Sequence, residues 1–313
     1  MTNAFTFPGQ GSQAVGMGKA LADAFPEARL VFQEVDDALG LKLSSLMWDG
    51  PADALTLTEN AQPALMAVSL AAMRVLEGRG VTVAKHAAFV AGHSLGEYSA
   101  LAAAGSLTIA DTARLLQIRG RAMQAAVPVG VGAMAALLGL DYNTAVAVAA
   151  EAAEGDVCQA ANDNSDGQVV VSGTLAAVER AVAIAKGKGA KRAMLLNVSA
   201  PFHCALMQPA ADAMAEALAH VTVLAPAVPV VSNVLARPIR DPQEIRTRLV
   251  EQVTGNVRWR ESVKWLADNG VTRAYEIGSG KVLTGLVKRI ADTVEGIAIN
   301  GPDDIEKMVA ALI

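Results

Sequence analysis

The residues Gly92-His93-Ser94-Leu95-Gly96 fit the pattern GxSxG, in which small residues on both sides of a serine permit a tight turn from a strand into a helix. Such a turn exposes the serine Oγ and aims the next backbone N–H, that of Leu95, at the same point. The chemistry it suggests is nucleophilic. The competing reading of Ser94 is a solvated serine that caps a helix. A nucleophilic serine needs a base, and the chain holds four histidines. His93 adjoins Ser94 and should point away from it. His86 stands upstream, about 26 Å off if that segment is extended. His220 closes the helix expected over 205–219, about 25 Å along it from His203, where an imidazole commonly complements the helix dipole. His203 remains, in Ser199-Ala200-Pro201-Phe202-His203-Cys204, a proline-bearing loop that enters a helix. Spacing alone suits a structural histidine equally well. The need of Ser94 for a partner favours the base.

An acidic third member between Ser94 and His203 is not evident. Asp163 and Asp166 fall in what reads as a Gly-containing hairpin turn, where such residues usually serve the turn. A Ser94–His203 dyad, with the imidazole oriented by a backbone carbonyl, is therefore expected rather than a triad. Cys204 is next to His203 in sequence and cannot face it, so it reads as a small buried hydrophobe.

The elements that would position these residues follow from the patterning. Ala4–Phe7 is a strand-like run ending in the glycine-rich loop Pro8-Gly9-Gln10-Gly11-Ser12-Gln13, and helical patterns continue to about Gly78. Ala87–Gly92 reads as a buried strand and the segments 95–105 and 108–127 as helices, which places Ser94 at a strand-to-helix turn. After Pro128 the texture changes to strand 133–140, helix 143–153, strands 157–161 and 168–172, helix 175–186 and strand 192–198. That βαββαβ order is ferredoxin-like and about 70 residues suits it, so residues 129–198 read as a subdomain inserted between 1–128 and 199–313. Further on, Asp241-Pro242-Gln243-Glu244 marks a capped helix start. The fold class expected is α/β.

Composition narrows the class of protein. The chain has 313 residues, 52% hydrophobic and 18% charged, with 62 alanines; this excludes a disordered chain and favours close-packed helices. A net charge of −5 without any Lys/Arg block removes the footprint of a nucleic-acid binder. Two cysteines, Cys158 and Cys204, are too few for a disulfide framework or a zinc site, and no metal is expected. The uncharged run 122–140 is cut by Pro128, Gly130, Gly132 and Gly139, so no membrane span is expected, and a cytoplasmic protein fits.

The residues also carry a resemblance. Phe7-Pro8-Gly9-Gln10-Gly11-Ser12-Gln13, Gln62-Pro63-Ala64, Gly92-His93-Ser94-Leu95-Gly96-Glu97-Tyr98, Arg119-Gly120-Arg121-Ala122-Met123-Gln124, Gly132-Ala133-Met134, Asn162-Asp163-Asn164-Ser165 and Ala200-Pro201-Phe202-His203 occur in the order seen in malonyl-CoA:acyl carrier protein transacylases. The chain resembles that family over nearly its whole length. The resemblance implies an α/β-hydrolase-like body with a parallel sheet and the ferredoxin-like insertion. It implies that Ser94 takes malonyl from malonyl-CoA as an ester, that His203 serves as base and then acid, and that the phosphopantetheine thiol of acyl carrier protein accepts the group. The extender unit so supplied would serve fatty acid synthesis, with no cofactor beyond the thioester substrate.

Residue by residue, the resemblance gives the oxyanion to the backbone N–H groups of Leu95 and Gln10; a phosphate-cradling loop is the competing view of the Gln10 segment, which lacks the Gly-Lys-Ser/Thr ending. Arg119 would pair with the free malonyl carboxylate, its bland alternative being a surface helix arginine. Gln252 resembles the position whose carbonyl holds the histidine, though by pattern it is an ordinary exposed helix glutamine. Gln62 and Asn164 would hydrogen-bond around the substrate, and Met123 and Met134 suit core and pocket wall equally. Lys186, Lys188, Lys191 and Arg192 form a small basic cluster for an acidic carrier protein, with Lys191 and Arg192 the docking candidates, or else a solvated strand edge. Phe202 departs from members with a small residue there, which bears on the group tolerated at malonyl C2. Two rivals remain: a serine hydrolase or thioesterase, and a carrier-binding module without catalysis.

Overall fold

The computed structural model describes residues 2–313. Its strands, in chain order, are β1 (Thr2–Phe7), β2 (Phe89–Gly92), β3 (Gly132–Leu138), β4 (Cys158–Ser165), β5 (Gln168–Thr174), β6 (Arg192–Leu195), β7 (Val230–Val231), β8 (Pro238–Ile239), β9 (Val271–Ile277) and β10 (Glu295–Ile299). They form a six-stranded sheet of order β10-β9-β1-β2-β7-β8 and a separate four-stranded sheet of order β4-β5-β3-β6. The large sheet is parallel except for β8, and the small one is antiparallel throughout. The protein is thus α/β, as expected.

The large sheet is buried on both faces, as parallel strands require. One face packs on a core that includes Phe5, Phe7, Leu65, Val68 and Tyr275; the other packs on Ala91, Val231, Trp259, Val263 and Leu283. The helix Thr58–Gly78 is almost wholly enclosed, and the helix Ile109–Ala126 lies against it. Gly120 allows that approach, because a Cβ there would stand 2.5 Å from the Glu59 Cα. The neighbouring Arg119 is thereby brought against Gln62. The small sheet has its own core, with Leu137, Val148, Val169, Val171 and Val178, under the helices Tyr142–Ala153 and Leu175–Gly187.

β1 and β2 run in register with Phe7 opposite Gly92. The loop after β1 and the turn after β2 therefore leave the sheet side by side at its carboxyl edge, where open α/β sheets place their ligand sites. The small sheet is tied to the same edge: Asp163 N donates to Val257 O at 3.0 Å and Val257 N to Ala161 O at 2.9 Å.

One expectation is corrected here. Asp163 does not serve a turn; β4 runs on to Ser165, leaving Asp166-Gly167 as the turn. Asp163 is fully buried and receives the Arg260 guanidinium, with both carboxylate oxygens 2.9 Å from Nε. The ion pair spans a sequence distance that turn statistics do not see, and it locks the small sheet to the helix Trp259–Asp268. β6 is also shorter than expected, ending at Leu195. Among the described residues no helix is long and apolar enough to cross a membrane.

Candidate active site

Ser94 stands between β2 and the helix Leu95–Ala103, with φ 53° and ψ −110°. This is a strained conformation for a residue with a Cβ. The turn closes only because its flanks are glycine. A Cβ on Gly92 would lie 1.9 Å from the Gly96 carbonyl carbon, and one on Gly96 would lie 2.2 Å from Phe7 O. Two side-chain amides hold the strained backbone: Asn233 Oδ1 accepts from Ser94 N at 2.7 Å, and Gln252 Nε2 donates to Ser94 O at 3.0 Å.

His203 Nε2 lies 2.8 Å from Ser94 Oγ, and its Nδ1 lies 2.9 Å from Gln252 O. A carbonyl can only accept, so Nδ1 carries the hydrogen and Nε2 presents a lone pair to the serine hydroxyl. Burial, with the Arg119 charge adding to it, pushes the imidazole pKa down to about 3. His203 is accordingly neutral at pH 7. Of the other histidines, His93 turns away, its Nε2 2.8 Å from Asn164 Oδ1; His86 bonds locally to Thr82; and His220 caps the helix Gln208–Ala219.

Leu95 N is the first amide of its helix, and Gln10 N lies in the loop after β1. Among the described residues neither donates to a protein acceptor. The Gln10 side chain is fixed, because its Oε1 accepts from Thr58 Oγ1 at 2.7 Å. Gln10, Ser94 and Leu95 all line one cleft.

Arg119 is 1% exposed. Nη1 donates to Gln62 Oε1 at 2.7 Å, and Nη2 donates to Gln252 Oε1 at 2.9 Å and to Ser94 Oγ at 3.0 Å. Nε is buried without a partner, and among the described residues no carboxylate lies within ion-pair distance of this guanidinium. Burial lowers its pKa. The buried Glu97 carboxylate acts on it only through the Gln252 amide, so no anion touches the guanidinium and a carboxylate entering the cleft would be drawn to it. It is not the surface arginine of the bland alternative.

These groups line a cleft of about 340 Å³, with Gln10, Gln62, Ser94, Leu95 and Arg119 on the large-sheet side and Asn162, Asn164, Val170 and Leu196 on the small-sheet side. Met123, Met134 and Phe202 complete the wall; all three are also buried. The basic cluster lies elsewhere: Lys188 pairs with Glu151 at 2.6 Å, while Lys191 and Arg192 are exposed at the start of β6, four residues before the cleft-lining Leu196. Gln252 is not an exposed helix glutamine; it is fully buried. Cys204 is buried, as expected.

Sequence reasoning missed Glu97 and Asn233. Glu97 Oε2 accepts from Asn233 N at 3.1 Å and from Gln252 Nε2 at 2.7 Å, and burial raises its pKa to about 7. A carboxylate among Leu95, Gly96, Tyr98, Ala100 and Leu101 was a signal for it, because a buried acid requires partners. Asn233 had no such mark.

The cleft thus joins a half-buried serine, a neutral imidazole against its Oγ and a buried guanidinium that, among the described residues, no carboxylate contacts. The chain belongs to the acyl transferase domain family, which it matches over residues 4–300. It is 50% identical over 309 residues to the malonyl CoA-acyl carrier protein transacylase of Escherichia coli (strain K12), covering 99% of this chain and 98% of that protein. Among solved structures, the acyl-carrier-protein-S-malonyltransferase from Bartonella henselae superposes with a TM-score of 0.98 at 58% identity, over 100% of this chain and 99% of that one. A malonyl-transacylase solved in complex with a type II PKS acyl-carrier protein has a TM-score of 0.96 at 44% identity, over 99% of this chain and all of that one.

Proposed function

We propose that the chain transfers the malonyl group of malonyl-CoA to the phosphopantetheine thiol of acyl carrier protein through an ester on Ser94, supplying the extender unit of fatty acid synthesis. The observation that carries this reading is the fully buried Arg119, which lacks an anionic partner and reaches Ser94 Oγ at 3.0 Å. A carboxylate paired there would place the other end of a three-carbon diacid at the serine.

His203 Nε2 accepts the Ser94 proton as Oγ attacks the thioester carbon, and the N–H groups of Leu95 and Gln10 receive the resulting oxyanion. Collapse expels the coenzyme A thiolate, which takes the proton from the imidazolium and leaves as the thiol. In the second half the carrier thiol gives its proton to His203 and attacks the ester. The Ser94 alkoxide then leaves and recovers that proton. Electrons and protons balance without a metal or redox cofactor, and none is invoked.

We read residues 129–198 as a ferredoxin-like unit inserted into an α/β-hydrolase-like core of 1–128 and 199–313, a division supported by the order β4-β5-β3-β6 and a separate core. Gln62 and Asn164 border the substrate, Phe202 walls the acyl pocket, and Lys191 with Arg192 meets the carrier protein. Two unpaired cysteines suit a reducing cytoplasm.

Intact-protein mass spectrometry after mixing with malonyl-CoA tests the reading. Wild type should gain one malonyl group that persists in buffer and is discharged by holo carrier protein, whereas Ser94→Ala should gain none. An adduct lost to water as fast as to carrier would make the protein a hydrolase; no adduct would leave only a binding module.

A further inference from the structure

The mechanism above uses Ser94, His203, Arg119 and the Gln252 carbonyl, and it leaves unexplained a carboxylate buried directly beneath them. Glu97 sits in the first turn of the helix that begins at Leu95 and is 1% exposed. A carboxylate kept dry is costly, and no cation within ion-pair distance repays it among the described residues. What it has instead is two donors on one oxygen, Asn233 N and Gln252 Nε2.

The consequence runs through the Gln252 amide. That group has one accepting end and one donating end. Its donating end faces Glu97 Oε2 at 2.7 Å, Ser94 O at 3.0 Å and, more weakly, Asn233 Oδ1 at 3.3 Å, so its accepting end faces Arg119 Nη2 at 2.9 Å. A flipped amide would set N–H against N–H at the guanidinium and release it from its position. Asn233, fixed by Glu97 through its own N–H, closes the same ring by accepting from Ser94 N and donating to Gly92 O at 2.7 Å.

We propose that Glu97 is a positioning residue for acyl selectivity: by accepting from Gln252 Nε2 it keeps the amide oxygen on Arg119 and so holds the guanidinium where the acyl carboxylate must land. The inference rests on the malonyl reading given above. It assigns no contact between Glu97 and the substrate. The role is that of an acceptor, so a side chain that accepts in the same place should preserve it and one that cannot should not.

The test compares kcat/KM for malonyl-CoA and acetyl-CoA, together with the rate at which a fluorophosphonate, which has no carboxylate, labels Ser94. Wild type must first form the malonyl adduct; if it does not, the malonyl reading fails and not this one. In Glu97→Leu the malonyl-to-acetyl ratio should fall about tenfold, the scale of one hydrogen bond to a charged group, while fluorophosphonate labelling reports any loss at Ser94 that both substrates share. In Glu97→Gln, whose amide oxygen can accept from both donors, the ratio should stay within about threefold. Glu97→Asp keeps the charge but draws the oxygen back by one methylene; it replaces the leucine variant if that does not fold, and it should lower the ratio at least threefold. A ratio unchanged in Glu97→Leu and Glu97→Asp overturns the proposal. A Glu97→Gln ratio as low as that of Glu97→Leu overturns the acceptor assignment.

Discussion

Replacing Arg119 with alanine should separate the handling of the acyl carboxylate from the chemistry at Ser94. The guanidinium has two edges to offer. One Nη1 hydrogen is engaged by Gln62 and one Nη2 hydrogen by Gln252, whereas Nε has no partner and the second Nη2 hydrogen reaches only Ser94 Oγ. Nε is sealed from the cleft, so Nη2 is the group an incoming carboxylate can reach once Ser94 is acylated. Removing one member of a buried charged pair costs about 3 to 5 kcal/mol, because the other is left in place and unpaired. At 1.36 kcal/mol per decade that is roughly a 150- to 5,000-fold loss in kcat/KM for malonyl-CoA. Acetyl-CoA brings no anion and meets an unpaired cation in the wild-type cleft, so its kcat/KM should hold or rise. The two thioesters are assayed side by side with thiol release as the readout, and fluorophosphonate labelling of Ser94 monitors the nucleophile. A parallel fall in both substrates, or a loss of labelling, would refute the assignment and make Arg119 a structural strut of the serine turn.

The proposed Ser94–His203 dyad requires that Ser94→Ala and His203→Ala each abolish most transfer and that the double variant be scarcely worse than either; multiplicative losses in kcat would contradict it. Phe202 packs into the core and walls the cleft, leaving little room for a branch at malonyl C2. Relief of overpacking is worth about 1 to 3 kcal/mol, so Phe202→Ser should raise methylmalonyl-CoA use relative to malonyl-CoA by roughly 5- to 150-fold. An unchanged ratio in a protein that melts earlier would reduce Phe202 to a loop anchor. His203 titrates lower when folded than its ordinary value, so the folded state binds fewer protons there than the unfolded chain. The stability this brings is complete above about pH 6.5 and drains away as pH falls from there toward 3, amounting to about 2 kcal/mol between pH 6.5 and 5. Urea midpoints should drop over that interval in wild type and by less in His203→Gln; equal slopes would mean the imidazole is not held neutral.

The parts of the site visible in the sequence were those set by neighbours in the chain. The glycines around Ser94 are demanded by a turn of five residues, and His203 could be reached by elimination because only four histidines exist. The βαββαβ alternation was legible because each element carries its own period. What escaped depends on partners far along the chain. Asp163 read as a turn residue because Arg260, which holds it, belongs to a helix of the other sheet's layer. Gln252 read as exposed because the helix Pro242–Thr254 is polar along most of its length, and nothing local says that this one side chain turns into the serine turn. Asn233 follows a two-residue strand too short to leave a pattern.

The His203 imidazole is steered by a peptide oxygen, and that choice has a genetic meaning. A carboxylate in the same place could be deleted by one codon change; the carbonyl of residue 252 survives every substitution that leaves the helix intact. An alanine scan is blind to it, and losses seen at position 252 report the amide's grip on Arg119 and Ser94 instead. The oxygen is also uncharged, so it aligns the ring without holding a proton on it. In the proposed transfer the imidazole is left free to return the same proton to either leaving atom, sulfur or oxygen.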